Sequence, residues 1–331
     1  MHKLNLKNQK ILITGVAGYI GSVLLRLLLN EKIEVVGIDQ LFFNDRSIKP
    51  ELKNPLFKFY EADIRDSKKM QEIIEKEKPN AIVHLAAIVG DAACLKEQEM
   101  AKDINLKASK QLVDLADDLE VPRFIFSSTC SNYGKIKYNE MVDENSQLVP
   151  LSLYAETKVA FENYLLSKEY HNTSPCILRF SSVFGKSPRM RFDLTVNEFT
   201  RELHFGNELE IYGPQFWRPY CHVEDLATSV LFTLQASKSL ISKKVYNVGN
   251  NDENFQKQDL VNKFQQVFPN SKISFIDKKE DTRSYRVNFD KINNALGFQT
   301  IKNVEYGIRE LKEMLEAKEI SNPYDKVYCN S

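Results

Sequence analysis

The feature that most limits what this chain can fold into lies at residues 14–21, Thr-Gly-Val-Ala-Gly-Tyr-Ile-Gly. It sits between a strand-like apolar run at 10–14 and a stretch with helical apolar spacing at 20–30. Three glycines spaced three apart at a strand-to-helix junction permit a tight turn, close backbone approach to a pyrophosphate and close helix–strand packing. The helix N-terminus adds free N–H groups and partial positive charge for an anion. Gly15, Ala17, Gly18, Tyr19, Ile20 and Gly21 are therefore expected to cradle a dinucleotide. Asp39 ends the next apolar run, at 33–39, and lies at the ~20-residue spacing of a carboxylate that accepts from both hydroxyls of an adenosine ribose. A 2′-phosphate would be repelled there, which favours NAD over NADP; Arg46 nearby moderates that preference.

The rhythm of the first 180 residues agrees with this turn. Strand-like runs at 56–61, 81–86, 123–128 and 175–180 alternate with helical patterns at 67–78, 100–119 and 154–170. Such alternation means βαβ units in a doubly wound parallel α/β sheet. After Phe180 the rhythm breaks into a loop-rich stretch holding Pro188, Gly206, Gly213, Pro214 and Pro219. The expected organisation is a large cofactor-binding domain at 1–184, to which 221–248 returns, and a smaller C-terminal α/β substrate lobe from 185–220 and 249–331.

Composition excludes several classes. Lysine plus arginine and aspartate plus glutamate both number 45, so no bulk positive charge drives nucleic-acid binding. No apolar run approaches the ~20 residues of a membrane span, and a strand so near the start leaves no room for a secretory signal. The five cysteines are odd in number and widely spaced, which supports neither a disulfide framework nor a zinc site. The expectation is a reduced, cytoplasmic protein.

Chemistry concentrates at three strand ends and one helix. His84-Leu85-Ala86-Ala87 ends the fourth strand, where small alanines suit close approach to a nicotinamide. Asp63 and Ile64 end the third, where they could meet the adenine. Tyr154 and Lys158, four apart, share one helix face. A free tyrosine is a poor base at neutral pH; an adjacent ammonium and an oxidised nicotinamide would favour its phenolate. Tyr154 could then take a hydroxyl proton while hydride leaves the same carbon, with Lys158 also holding the nicotinamide ribose. At the end of the fifth strand, Thr129 can hydrogen-bond the reacting hydroxyl.

Together these residues resemble the extended short-chain dehydrogenase/reductase superfamily, in its NAD-dependent epimerase/dehydratase branch. The resemblance rests on the glycine turn, Asp39, Asp63-Ile-Arg-Asp66, His84–Ala87, Asn105, Ser127-Ser-Thr129, Tyr154 with Lys158, Arg179-Phe-Ser-Ser-Val-Phe-Gly185, Arg218-Pro-Tyr-Cys-His-Val-Glu-Asp225 and Asp281-Thr-Arg-Ser-Tyr-Arg286. It implies a Rossmann domain, NAD as cofactor with Asn105 and Ser127 near it, no metal, and a nucleotide-diphosphate sugar as substrate. A buried diphosphate favours guanidinium partners, whose planar fork binds phosphate oxygens bidentately. Arg218, Arg283 and Arg286 are the candidates, with Arg189, Arg191 and Asn197 on a loop that would cover the sugar. The resemblance also implies a homodimer through a four-helix bundle formed by 100–119 and 154–170.

The reaction is narrowed by two positions. The branch's 4,6-dehydratases carry Asp-Glu directly after the catalytic Thr; here Cys130 and Ser131 stand there, so dehydration is disfavoured. Both also line the expected sugar site. Most of the branch oxidises C4 first, which leaves an epimerase with a transient 4-keto sugar, or a 4-dehydrogenase/reductase that releases or accepts one. The stretches 84–91 and 187–193 look like epimerase-like proteins of bacterial surface-polysaccharide clusters. A non-catalytic NAD-binding subunit is the remaining class, and such relatives usually lose one member of the Tyr–Lys pair.

Overall fold

The computed structural model describes residues 4–136, 140–276 and 283–330. Seven parallel strands form its main sheet: β1 (Lys10–Thr14), β2 (Glu34–Asp39), β3 (Phe57–Glu61), β4 (Ala81–His84), β5 (Arg123–Thr129), β6 (Ser174–Phe180) and β7 (Lys244–Val248). Their spatial order is β7-β6-β5-β4-β1-β2-β3. The strand order reverses between β1 and β4, and in such sheets ligands bind at the carboxyl ends of the strands beside that point.

Both faces of the sheet are covered, so its strands read as unbroken apolar runs. Ile11 and Ile13 point into one core, packed on Leu24, Leu25 and Leu28 of α1 (Tyr19–Asn30) and on Leu226, Val230 and Leu234 of a later helix, Val223–Gln235. Leu12 points the other way, onto Met70, Ile73 and Ile74 of α2 (Ser67–Glu77) and Leu112 and Val113 of α3 (Ser109–Asp118). The Asp66 side chain caps α2 by accepting from Lys69 N–H at 3.0 Å, and Lys78 ends it in a left-handed conformation (φ 47°) before Pro79. α4 (Leu153–Ser167) starts where Ser152 Oγ accepts from Ala155 N–H, and stops short of the Tyr170 expected from the sequence.

The helix expected at 100–119 forms from Gln98 to Asp118 without a break, but its pitch changes midway. It runs as Gln98–Lys102, a π turn over Asp103–Ala108, and then α3. A single π turn inside an α-helix often marks a functional site.

After β6 the chain builds a second core from α5 (Thr195–His204), α7 (Lys257–Val267) and α8 (Val304–Glu316) around short strands, while α6 (Val223–Gln235) packs on the large sheet. Strand Trp217–His222 pairs with Ser182–Phe184 in parallel and with Asn254–Gln256 antiparallel. Phe184, Phe199, Tyr220, Leu260, Phe264 and Ile308 fill the space between. Ile292, Leu296 and Phe298, within the 249–331 stretch expected in the smaller lobe, pack into the core of the large sheet instead. Among the described residues, no helix is long and apolar enough to cross a membrane.

Candidate functional site

The crevice begins where β1 ends. Gly15 turns with φ +75°, and a Cβ there would stand 2.8 Å from Ala86 N. A Cβ on Gly21 would stand 2.1 Å from Gly15 O, so only glycine lets α1 seat on the turn. Ala17 N–H donates to Asp39 Oδ2 at 3.0 Å, and Leu41 N–H to Oδ1 at 2.8 Å. Burial raises the Asp39 pKa, and these two donors work against that rise. Each oxygen keeps a lone pair for a ribose hydroxyl. Main-chain N–H groups at the start of α1, a backbone cradle with no room for a Cβ and a carboxylate beyond it fit a dinucleotide.

Two strand-end residues behave differently from expectation. The Asp63 carboxylate is taken by Arg65, through its main-chain N–H (2.9 Å) and Nε (3.0 Å). The Ile64 side chain is buried among the α2 side chains. What these two can offer an adenine is their main chain.

β4 is tied to β1 and to the π turn by a chain of buried hydrogen bonds. Leu85 N–H donates to Thr14 O at 3.1 Å, and Ala86 N–H to Thr14 Oγ1 at 3.3 Å. Thr14 Oγ1 lies 2.7 Å from His84 Nδ1, His84 Nε2 lies 2.9 Å from Ser109 Oγ, and Ser109 Oγ donates to the carbonyls of Ile104 and Asn105. Donor counting closes this chain with His84 neutral, Thr14 donating to Nδ1 and Nε2–H donating to Ser109. Burial pushes the His84 pKa down to about 3, which agrees. Asn105, expected near the cofactor, instead clamps Ile88: Oδ1 accepts from its N–H (2.8 Å) and Nδ2 donates to its C=O (2.9 Å). The π turn aims this side chain at the loop carrying Ala86 and Ala87 and so fixes the wall of the crevice.

Tyr154 and Lys158 lie together on α4. Lys158 Nζ donates to Ser127 O at 2.8 Å, 4.7 Å from the centre of the Phe126 ring and 5.7 Å from that of Tyr154. Burial lowers the Lys158 pKa to about 8 and raises that of Tyr154. Arg191 and Asp91 flank the phenol closely enough to act on it in opposite directions. Ser127 Oγ donates to His84 O at 3.1 Å, so its main-chain oxygen serves Lys158 and its side chain serves β4. Thr129 Oγ1 accepts from Ser131 N–H at 3.1 Å, which leaves its proton for another acceptor. Cys130 is buried, its thiol donates to Arg179 O at 3.3 Å, and burial pushes its pKa up. Ser131 Oγ lies 3.2 Å from Tyr285 OH.

Under this strand end lies an ion pair with almost no exposure, Glu162 with Arg179 (2.7 Å). Arg179 Nη1 also donates to Tyr133 OH at 2.9 Å, and Glu162 accepts from Ser128 and Asn132. Burial opposes the guanidinium charge, and the Glu162 carboxylate more than restores it.

The expected phosphate-binding arginines divide into groups. Arg218 donates to Trp217 O at 2.8 Å and to Arg283 O, with its guanidinium 5.1 Å from the Tyr285 ring centre. Arg286 lies 4.7 Å from the Trp217 ring centre, and Arg283 pairs with Asp91 at 2.7 Å. These three gather beside Ser131. Arg191 is bidentate with Asp193 (3.0 and 2.7 Å) at the Tyr154 side. Arg189 is not with them. Its guanidinium lies 3.9 Å from the centre of Phe43, four residues past Asp39, and its Nε and Nη2 make no hydrogen bond. Burial, with Arg191 adding to it, lowers its pKa to about 10. Arg189 therefore lies against the loop that follows Asp39, apart from the other arginines. Asn197 also departs from expectation: fully buried, it accepts from Gly185 N–H and donates to Tyr19 OH and Arg191 O. It fastens the covering loop to α1 and has no free donor for a sugar.

Sequence reasoning missed Asp91, Trp217, Tyr285 and the Glu162–Arg179 pair as parts of the site. Asp91 and Tyr285 stood inside motifs already noticed, but the pairing of Asp91 with Arg283 and of Tyr285 with Ser131 depends on contacts across more than 150 residues. Among the described residues no group of three His, Cys, Asp or Glu is placed to hold a metal ion, and all five cysteines are free.

A switch-point crevice with a glycine turn, a ribose carboxylate and a Tyr–Lys helix defines a nicotinamide-dependent short-chain dehydrogenase/reductase. Residues 11–249 match the sequence profile of the NAD dependent epimerase/dehydratase family, and the chain belongs to that family. It is 29% identical to a UDP-glucuronate 4-epimerase of Thermodesulfobacterium geofontis over 68% of this chain and 71% of that protein. It is 26% identical to a dTDP-glucose 4,6-dehydratase of Shigella flexneri over 92% of both. The crystal structure of a Thermotoga maritima UDP-glucose 4-epimerase with UDP-glucose superposes with a TM-score of 0.83 at 26% identity, covering 94% of this chain and all of that one. The chain is thus an NAD-dependent enzyme of nucleotide-sugar chemistry, consistent with oxidation at C4.

Proposed function

We propose that the protein is a nucleotide-sugar 4-epimerase. The observation that carries this reading is the end of β5, where Thr129 is followed by a buried, high-pKa thiol and a hydroxyl paired with Tyr285. Neither Cys130 nor Ser131 offers the carboxylic acid and carboxylate that eliminating water asks for. When bound, NAD supplies the hydride acceptor for C4. Tyr154 takes the C4 hydroxyl proton, Thr129 hydrogen-bonds that hydroxyl, and the Lys158 ammonium favours the phenolate. Arg218, Arg283 and Arg286 hold the diphosphate, Arg191 covers the sugar, and Arg189 serves the cofactor. The 4-keto sugar then turns over in the pocket, presenting the opposite face of C4 to the returning hydride, and Tyr154 gives its proton back to the C4 oxygen.

The division into a cofactor domain and a substrate lobe, with Lys244–Val248 and the helix at Asp290–Leu296 on the large sheet, belongs to this proposal, as does a cytoplasmic homodimer. Met100, Leu106, Leu115, Tyr164 and Leu166 on the helices at 98–118 and 153–167 are only partly buried, as a four-helix contact between two copies requires. Sedimentation giving a monomer mass at micromolar concentration would count against the dimer.

Mass spectrometry of the nucleotide released on denaturation tests the reaction type. Retained NAD or NADH supports a redox-neutral cycle within one site. An empty protein that binds NAD reversibly and accumulates NADH with substrate points to a 4-dehydrogenase. In either case Tyr154→Phe is expected to lower kcat at least ~1000-fold while NAD binding persists. Unchanged turnover in that variant would remove Tyr154 from the chemistry.

A further inference from the structure

The loop after β4 brings a carboxylate into the sugar pocket. Asp91 opens the short helix Asp91–Lys96, which packs against α4 beside Tyr154. One carboxylate oxygen, Oδ2, is 2.7 Å from Arg283 Nη1. The other, Oδ1, is buried and accepts no hydrogen bond. A carboxylate oxygen enclosed without a donor is costly, because it has lost water and gained nothing. The ion pair to Arg283 is only partly shielded, with side-chain exposures of 37% and 23%, and such pairs are easily exchanged.

We propose that Asp91 reads the sugar: it holds Arg283 in the free enzyme, yields it to the substrate diphosphate, and then accepts hydrogen bonds from hydroxyl groups of a neutral hexose, discriminating against a uronate. A diphosphate carries more charge than a single carboxylate and matches the guanidinium fork, so it displaces Asp91 from Arg283. The released carboxylate faces the sugar with both oxygens. Sugar hydroxyls supply the missing donors, whereas a uronate carboxylate meets like charge across a pocket of low dielectric. This rests on the nucleotide-sugar reading above and sharpens it, since relatives include a UDP-glucuronate 4-epimerase.

The test compares the full-length NAD-bound protein with Asp91→Asn, which keeps the shape and removes the charge. UDP and dTDP are titrated by calorimetry, followed by UDP-glucose and UDP-glucuronate. The expected result is about fivefold tighter binding of the preferred nucleoside diphosphate, because the Asp91 charge no longer competes with it for Arg283. The preference for UDP-glucose over UDP-glucuronate should fall about tenfold, with an unchanged melting temperature. Equal diphosphate affinity and an equal sugar ratio in the two proteins would overturn the role of Asp91, as would a wild type that prefers UDP-glucuronate. Binding of neither sugar nucleotide by the wild type would instead sink the substrate reading itself. Because these readouts are binding constants, they stand even if turnover is that of a dehydrogenase.

Discussion

The cofactor crevice and the sugar pocket are built from different materials. The crevice is made of main chain: a glycine turn, the first N–H groups of α1, and Ala86 pressed against Gly15. The carboxylate at its far end, Asp39, is itself fastened by two backbone donors. The pocket is made of side chains from β5, α4, the loop after β4 and the smaller lobe, held by ion pairs: Glu162–Arg179, Asp91–Arg283 and Arg191–Asp193. A main-chain site imposes its demands on which residue types are tolerated, and a side-chain site imposes them on which residues meet.

That contrast can be broken from either side. The largest effect is expected at Glu162→Ala, which strands the Arg179 guanidinium in the protein interior. Loss of one partner of a buried pair costs about 3–5 kcal/mol, so chemical denaturation should show a loss of that size, and a loss under ~1 kcal/mol would mean the pocket floor is not held by charge. Next is Gly15→Ala, which puts a Cβ against Ala86 N in a left-handed turn. NAD affinity should fall about 100-fold by calorimetry, while the sugar pocket's ion pairs, and hence affinity for UDP, stay intact. Equal losses for both ligands would show the two regions are one unit.

The smallest expected effect concerns the seam between them. His84 is neutral when folded, with its pKa near 3, and titrates near ~6.5 when unfolded. The unfolded state therefore binds the extra proton, so stability is intact above that value and is lost as pH falls toward 3. Between pH 7 and pH 5 this one group should remove about 2 kcal/mol, and His84→Gln should flatten that part of the pH–stability curve. An unaltered curve would mean the Thr14–His84–Ser109 chain is not the acid-sensitive joint.

The same contrast explains what was legible in the sequence. Gly15, Gly18, Gly21 and Asp39 lie within 25 residues and report on local backbone geometry, so the turn they build could be read directly. Tyr154 and Lys158 are one helical turn apart, and helical periodicity alone puts them on one face. Arg189, Asn197 and Asp63 were harder, because a side chain's partner is chosen by tertiary contacts. Arg189 reaches across to Phe43 on the loop after β2, Asn197 is drawn inward by Gly185 and Tyr19, and Asp63 is taken by its neighbour Arg65. The π turn was invisible for a related reason. Asp103–Ala108 has ordinary helical composition, and the extra residue is retained because Ser109 satisfies the loosened carbonyls and Asn105 gains Ile88.

That π turn also sets the shape of the protein's outer wall. One additional residue in a turn shifts everything after it by about 100°, so Leu115, which an ideal helix would place about 60° from Met100, instead falls about 40° to its other side, and both pack against the same core. A second helix laid along this wall would meet a stripe whose repeat is reset at the turn. The residue inserted to aim Asn105 at the crevice thus also sets the register of the face that the proposed four-helix contact uses.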